Sequence, residues 1–166
     1  MFDDAAPIWE FKRALRATED PEQARAASEG LFIIEVFPAL ALATIEQAFC
    51  KRLGAPKYNP VNRKQFRLED WRLVAEAIRN FGALSAINQL DQWCAAVTTL
   101  GAPKKADQDK VDAVICGLIG LHWLKAPRKQ SIMIGDLDHG YMITPAINGV
   151  HERLSAAATA RNVPIS

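Results

Sequence analysis

"LFIIEVFP" (31–38) is the stretch on which the fold class turns. Apart from Glu35 and the final proline its residues are β-branched, aromatic or leucine, apolar at odd and even positions alike. Pro38 stops the run. That is the pattern of a strand covered on both faces. A strand here makes the chain α/β, whereas a helix would make it all-α. Glu35 sits toward the C-terminal end of this strand, the end at which open α/β sheets bind ligands, and is therefore a candidate functional acid.

The flanking sequence reads as helix. In "APIWEFKRALRAT" (6–18), Ile8, Phe11 and Leu15 fall at helical spacing, and "EDPEQARAASEG" (19–30) offers a proline for a first turn and a glycine for a C-cap. Residues 39–53 are rich in Ala and Leu and end at Gly54. "LEDWRLVAEAIRNFG" (68–82) and "LSAINQLDQWCAAVTTLG" (84–101) repeat apolar residues three and four apart, and each ends at glycine. A helix of about five turns is expected from Asp107 to Lys125. "SIMIGDLDHGYMITP" (131–145) reads as two short strands, 131–135 and 140–144, joined by a turn at Asp136 to Gly140, and an Ala-rich helix follows from Ala146. With no internal repeat and no long linker, the expectation is a single domain over 1–166, mostly helical with a small sheet.

Composition narrows the partners. The 166 residues are 49% apolar and 23% charged, an ordinary globular balance, and 20 Lys and Arg against 19 Asp and Glu leave a net charge of +1. No global field draws the chain to nucleic acid or membrane, so any partner must be argued from local patches. Cys50, Cys94 and Cys116 match neither a disulfide framework nor a zinc site and read as reduced, buried, small hydrophobes. No apolar run reaches the roughly 18 residues of a membrane span, and the acidic start "MFDDAAPIWE" is unlike a signal peptide. The expected location is cytoplasmic, with no membrane partner.

The acids of "KKADQDKVDAVICGLIGLHW" (104–123) need separate explanations. Asp107 suits the N-cap, and Asp109 in the first turn meets the helix dipole. Asp112 lies beyond that turn and projects toward the core side, among Val111, Ile115, Ile119 and Trp123. The other face carries Ala113, Gly117 and Gly120. Interior glycines cost about 1 kcal/mol each relative to Ala, which predicts close packing against another backbone and a helix covered on all sides. A buried carboxylate must be neutral, hydrogen-bonded, paired with a cation or bound to metal. Each acid alone is explained by an Arg, a Lys or backbone amides. An i, i+3 aspartate pair plus a strand glutamate moves the balance toward a shared Mg²⁺ or Mn²⁺, with Glu35 and Asp112 within about 8 Å of each other.

"PKYNPVNRKQFR" (56–67) is a basic loop. Lys57, Arg63, Lys64 and Arg67 could meet phosphates, with Tyr58 and Phe66 as stacking surfaces; a merely solvated basic loop is the alternative. His122 reads as a hydrogen-bonded core residue and His139 as a turn residue. Trp71, Trp93 and Trp123 lie at core spacing.

"IIEVFPALAL", "LGAPKYNP", "KADQDKVDAVIC" and "IGDLDHGYMITP" together resemble a family of predicted nucleases of ribonuclease H-like fold, catalogued as the domain of unknown function numbered four hundred and twenty-nine. The resemblance covers residues 31 to 145 and is most specific at the E-V-F-P-A strand end and the D-x-x-D-A helix start. It implies a partial ribonuclease H-like fold and a two-metal nuclease centre in which Glu35, Asp109 and Asp112 are the catalytic and metal-binding acids for Mg²⁺ or Mn²⁺. Two such ions, about 4 Å apart, activate water and neutralise the leaving oxygen of a phosphodiester. The family's first strands, which carry a further metal-binding aspartate, have no counterpart before Glu35, and Asp3 and Asp4 precede a helix. The chain thus resembles the C-terminal half to two-thirds of that domain. Two readings follow: a metal-dependent nuclease, or its metal-binding half, with Asp136 a candidate to complete the site; or a noncatalytic module for nucleic acid or protein. An uncovered strand edge at 31–36 would invite a homodimer or an N-terminal partner.

Overall fold

The computed structural model describes residues 7–51, 55–146 and 149–166; Asp3, Asp4 and Gly54 lie outside the described residues. Among the described residues the chain is mostly helical, with one two-stranded sheet. Helices α1 (Pro7–Leu15), α2 (Pro21–Ala26), α3 (Pro38–Ile45) and α4 (Gln47–Lys51) precede the pair α5 (Leu68–Gly82) and α6 (Leu90–Thr99). Helix α7 (Lys105–Lys125) leads to strands β1 (Ser131–Asp136) and β2 (Gly140–Pro145), and α8 (Val150–Thr159) follows. No helix is long and apolar enough to cross a membrane.

Local chemistry sets several boundaries. Asp20 caps α2 by accepting from the Glu22 and Gln23 N–H groups, both at 2.9 Å, with Pro21 in the first turn. Helix α5 begins and ends where the apolar spacing predicts. Helix α6 does not: it starts at Leu90, because Ala86 (φ 49°) and Gln89 (φ 65°) adopt left-handed conformations that no helix can pass through. Helix α7 starts two residues before the expected cap. Lys104 is the N-cap, and the Asp107 carboxylate reaches back to accept the Lys104 N–H at 2.8 Å.

β1 and β2 form an antiparallel hairpin in register Ser131 with Pro145 through Asp136 with Gly140, as expected. Asp136 shapes the turn by accepting from the Asp138 and His139 N–H groups at 3.0 and 2.7 Å. Gly135 has φ +93°, and a Cβ there would stand 2.2 Å from the Gly140 carbonyl oxygen, so only glycine serves.

The 31–36 segment departs from the expected strand. It runs between two isolated parallel bridges, Thr18 with Phe32 and Val36 with Ile143, and forms no continuous ladder. Leu31 and Ile33 exchange hydrogen bonds with Thr18, while Glu35 receives the Ile143 N–H at 2.9 Å. Two partners, each touching a different end, cannot make the run of successive bonds a strand requires.

One core joins these elements. Leu42, Trp71, Val74, Ile78, Val111, Ile115, Leu118, Ile119, Trp123 and Ile143 are all buried in it. Helix α7 touches α2, α3, α5 and β2. Its covering is incomplete, contrary to expectation: Asp109, Ala113 and Gly117 are exposed. A Cβ on Gly120 would only reach the Ile34 Cδ1 at 3.6 Å, and one on Gly117 would meet nothing within 4 Å. Neither glycine serves close backbone packing, and the helix runs unbroken through both. Gly117→Ala should therefore stabilise the protein by about 0.5–1 kcal/mol through helix propensity alone. A chemical denaturation midpoint that falls instead would show that Gly117 has a packing role.

Candidate functional site

Of the three acids predicted to share a metal, Asp109 and Asp112 have separate side-chain partners and Glu35 is exposed. Asp109 is exposed on α7 and forms an i, i+4 ion pair with Lys105 at 2.5 Å. Asp112 is half-buried. Its Oδ1 accepts the Tyr58 hydroxyl at 2.6 Å, and its Oδ2 accepts the Gln108 side-chain amide at 3.1 Å. Glu35, expected to be buried, is exposed. Its neighbour Ile34 faces α7 at Gly120, and alternation along the extended segment turns Glu35 the other way.

Burial pushes the Asp112 carboxyl above the usual aspartate range, with Asp109 adding to the effect; the bonds from Tyr58 and Gln108 and the charge of Lys105 oppose it. Burial, and then the hydrogen bond to Asp112, hold the Tyr58 phenol protonated well above its ordinary range. Phenol and carboxyl thus form a coupled pair in which Tyr58 donates. Cys116, one turn further along α7, is also raised by burial and by Asp112.

Among the described residues no group of three or more His, Cys, Asp or Glu side chains is placed to hold a metal ion. Asp109, Asp112 and Glu35 do not fit Mg²⁺ or Mn²⁺ as arranged. Both Asp112 oxygens serve protein donors, and Lys105 already neutralises Asp109. Asp136 likewise spends its carboxylate on the turn and on the His139 ring, with Nδ1 at 3.0 Å.

The basic loop is ordered by its own backbone. Arg67 N–H bonds the Lys57 carbonyl at 2.7 Å, Gln65 and Phe66 both donate to the Asn62 carbonyl, and the Asn59 side chain accepts from Val61. The Lys57 N–H is held by the buried Asp70 carboxylate at 2.5 Å. Tyr58 is 5% exposed, which removes it as a stacking surface; its ring belongs to the core and its hydroxyl to Asp112. Phe66 is half-buried and Lys57 half-exposed, whereas Arg63, Lys64 and Arg67 are exposed. None of these three cations pairs with a carboxylate among the described residues.

The bond from Tyr58 to Asp112 and the one from Lys57 to Asp70 escape a sequence reading. Asp70 sits in a first helical turn, where an acid already has an explanation, and the tyrosine stands in a loop 54 positions from its acceptor. The signal available was Asp112 itself, an acid on an apolar face that needed a donor. His122 and His139 fall where expected: His122 is half-buried with Nε2 3.1 Å from the Gln130 carbonyl, and His139 lies in the hairpin turn. The cysteines are free; Cys94 is buried, but Cys50 and Cys116 are only half-buried. The chain matches no family profile, no curated protein and no solved structure.

Proposed function

We propose that this chain is a noncatalytic nucleic-acid-binding module, built on a partial ribonuclease H-like scaffold whose acids serve as structural groups. It rests on the braced basic segment: Arg63, Lys64 and Arg67 project from a loop fixed at Lys57 by Asp70 and at Tyr58 by Asp112, with no carboxylate paired to them among the described residues. Preorganised, unpaired cations favour phosphate oxygens, and three of them in contact release counterions in proportion. The acids support the same reading, because each α7 carboxylate already has protein donors.

Fluorescence anisotropy with labelled single-stranded DNA and RNA tests this. Binding should weaken with salt at a log–log slope of roughly −2 to −3, as expected for three phosphate contacts. Arg63→Gln, Lys64→Gln and Arg67→Gln together should lower affinity tenfold or more and leave the melting temperature unchanged. Binding indifferent to the triple substitution, or absent at low salt, would refute the reading.

A metal-dependent nuclease is the second reading, and one observation favours it. Cys116, a turn beyond Asp112 on α7, lines the same hollow as Glu35. Mg²⁺- or Mn²⁺-dependent cleavage, lost in Asp112→Asn, would establish it over the first.

A further inference from the structure

The extended segment 31–37 uses only one of its two edges. The N–H and C=O groups of Leu31, Ile33 and Glu35 point to the side where Thr18, the Tyr141 hydroxyl and β2 supply partners. Phe32, Ile34 and Val36 point the other way, and none of their backbone groups has a hydrogen-bond partner among the described residues. Such a row of alternate unpaired donors and acceptors is a template for another strand. Open space adjoins the segment. A hollow of about 640 Å³ borders Ile34 and Val36, a second of about 360 Å³ borders Phe32 and Ile34, and the two meet at Ile34. Around them Phe11, Leu31 and Phe37 are each more than half exposed, a clustered apolar surface of the kind that marks an interface.

We propose that this edge pairs antiparallel with the same edge of a second copy, about a two-fold axis at Ile34, to give a homodimer. The inference goes beyond the nucleic-acid reading and does not depend on it. Three features select a second copy. The free groups are spaced symmetrically about Ile34, so Ile34 pairs with its own copy and Phe32 with Val36; three donors from each copy give six hydrogen bonds. In this register Glu35 lies opposite Ile33 of the second copy, not opposite another Glu35. Beside the Lys12–Glu19 ion pair, the exposed Arg13, which has no carboxylate partner among the described residues, lines the hollow that holds Ile33 and so brings a cation of one copy toward the Glu35 carboxylate of the other. The net charge of +1 opposes association by no appreciable repulsion.

Sedimentation velocity, run from micromolar to hundreds of micromolar protein, should show a species of twice the 18.3 kDa chain mass. A monomer throughout would overturn the proposal. The register is tested separately by mixing Ile33→Cys with Glu35→Cys under mild oxidation. The two positions face each other only across the proposed pair, so the mixture should form a disulfide-linked dimer that neither variant forms alone. A dimer without this selective cross-link would place the interface elsewhere and equally refute the assignment.

Discussion

Trp123→Ala should cost about 3–5 kcal/mol of folding stability, the range for deleting a large buried aromatic side chain. Trp123 is 1% exposed near the end of α7, and its indole N–H donates to the Pro21 carbonyl at 2.7 Å, fixing α2 against α7. Two guanidinium groups lie against the ring, Arg128 at 4.6 Å and Arg25 at 5.4 Å from its centroid. Arg25 depends on that ring, because among the described residues its buried Nη1 has no hydrogen-bond partner while Nη2 donates to the Ala126 carbonyl. Removing the indole leaves a cavity, takes one donor from the Pro21 carbonyl and strips a half-buried cation of its aromatic neighbour. Against a total stability of ordinary size, about 5–15 kcal/mol, this is a large fraction. Trp123→Phe keeps a six-membered aromatic ring against the guanidinium groups but loses the N–H and part of the indole volume; about 1–3 kcal/mol is expected. Urea denaturation followed by circular dichroism measures both, and a loss below about 1 kcal/mol for Trp123→Ala would show that α2 is not held by this residue.

Periodic apolar spacing sufficed where packing and local signals agree. Helix α5 and the hairpin were legible because Trp71, Val74 and Ile78 share one helix face, while Asp136 and Gly140 supply turn chemistry. Segment 31–36 differs from its sequence pattern because composition reports burial and propensity, and a ladder also needs neighbours in register. Phe32 and Val36 find theirs at single points only. Gly117 differs for a related reason: a glycine inside a helix shows that a side chain is tolerably absent, not that a backbone fills its place. The acids of α7 were legible as a question. Asp112 stood out because it breaks an apolar face, yet nothing local says whether a cation, a metal or a phenol answers it. The answer came from Tyr58, a long-range partner in a loop that sequence alone marks only as basic.

The Tyr58 and Asp112 pair makes the structural and metal readings diverge in sign. Tyr58→Phe removes the 2.6 Å donor from a half-buried carboxylate, leaving Gln108 as its remaining side-chain donor. A loss of about 1–3 kcal/mol at neutral pH is expected, the cost of stripping a charged acceptor of its partner. Asp112→Asn acts differently. The folded-state pKa of Asp112 is raised, chiefly by desolvation, so the folded protein holds the proton more tightly than the unfolded chain. The stabilisation from this group is fully present below the unfolded value, about 3.9, and is lost as pH rises through the raised folded value. At neutral pH the ionised carboxylate therefore works against folding. Asparagine retains an oxygen for the Tyr58 hydroxyl and carries no charge to desolvate. Its melting temperature at pH 7 should equal or exceed that of the parent, and its pH dependence across the acid range should be flatter. In the Asp112→Asn background, Tyr58→Phe should cost less than in the parent, with a coupling of at least about 0.5 kcal/mol in the double-mutant cycle. A metal centre predicts no special role for the phenol: the substitutions would be additive, and Mn²⁺ would stabilise the parent but not Asp112→Asn. Coupled substitutions with an Mn²⁺ response common to both proteins would place Asp112 among the residues that hold the basic loop to α7.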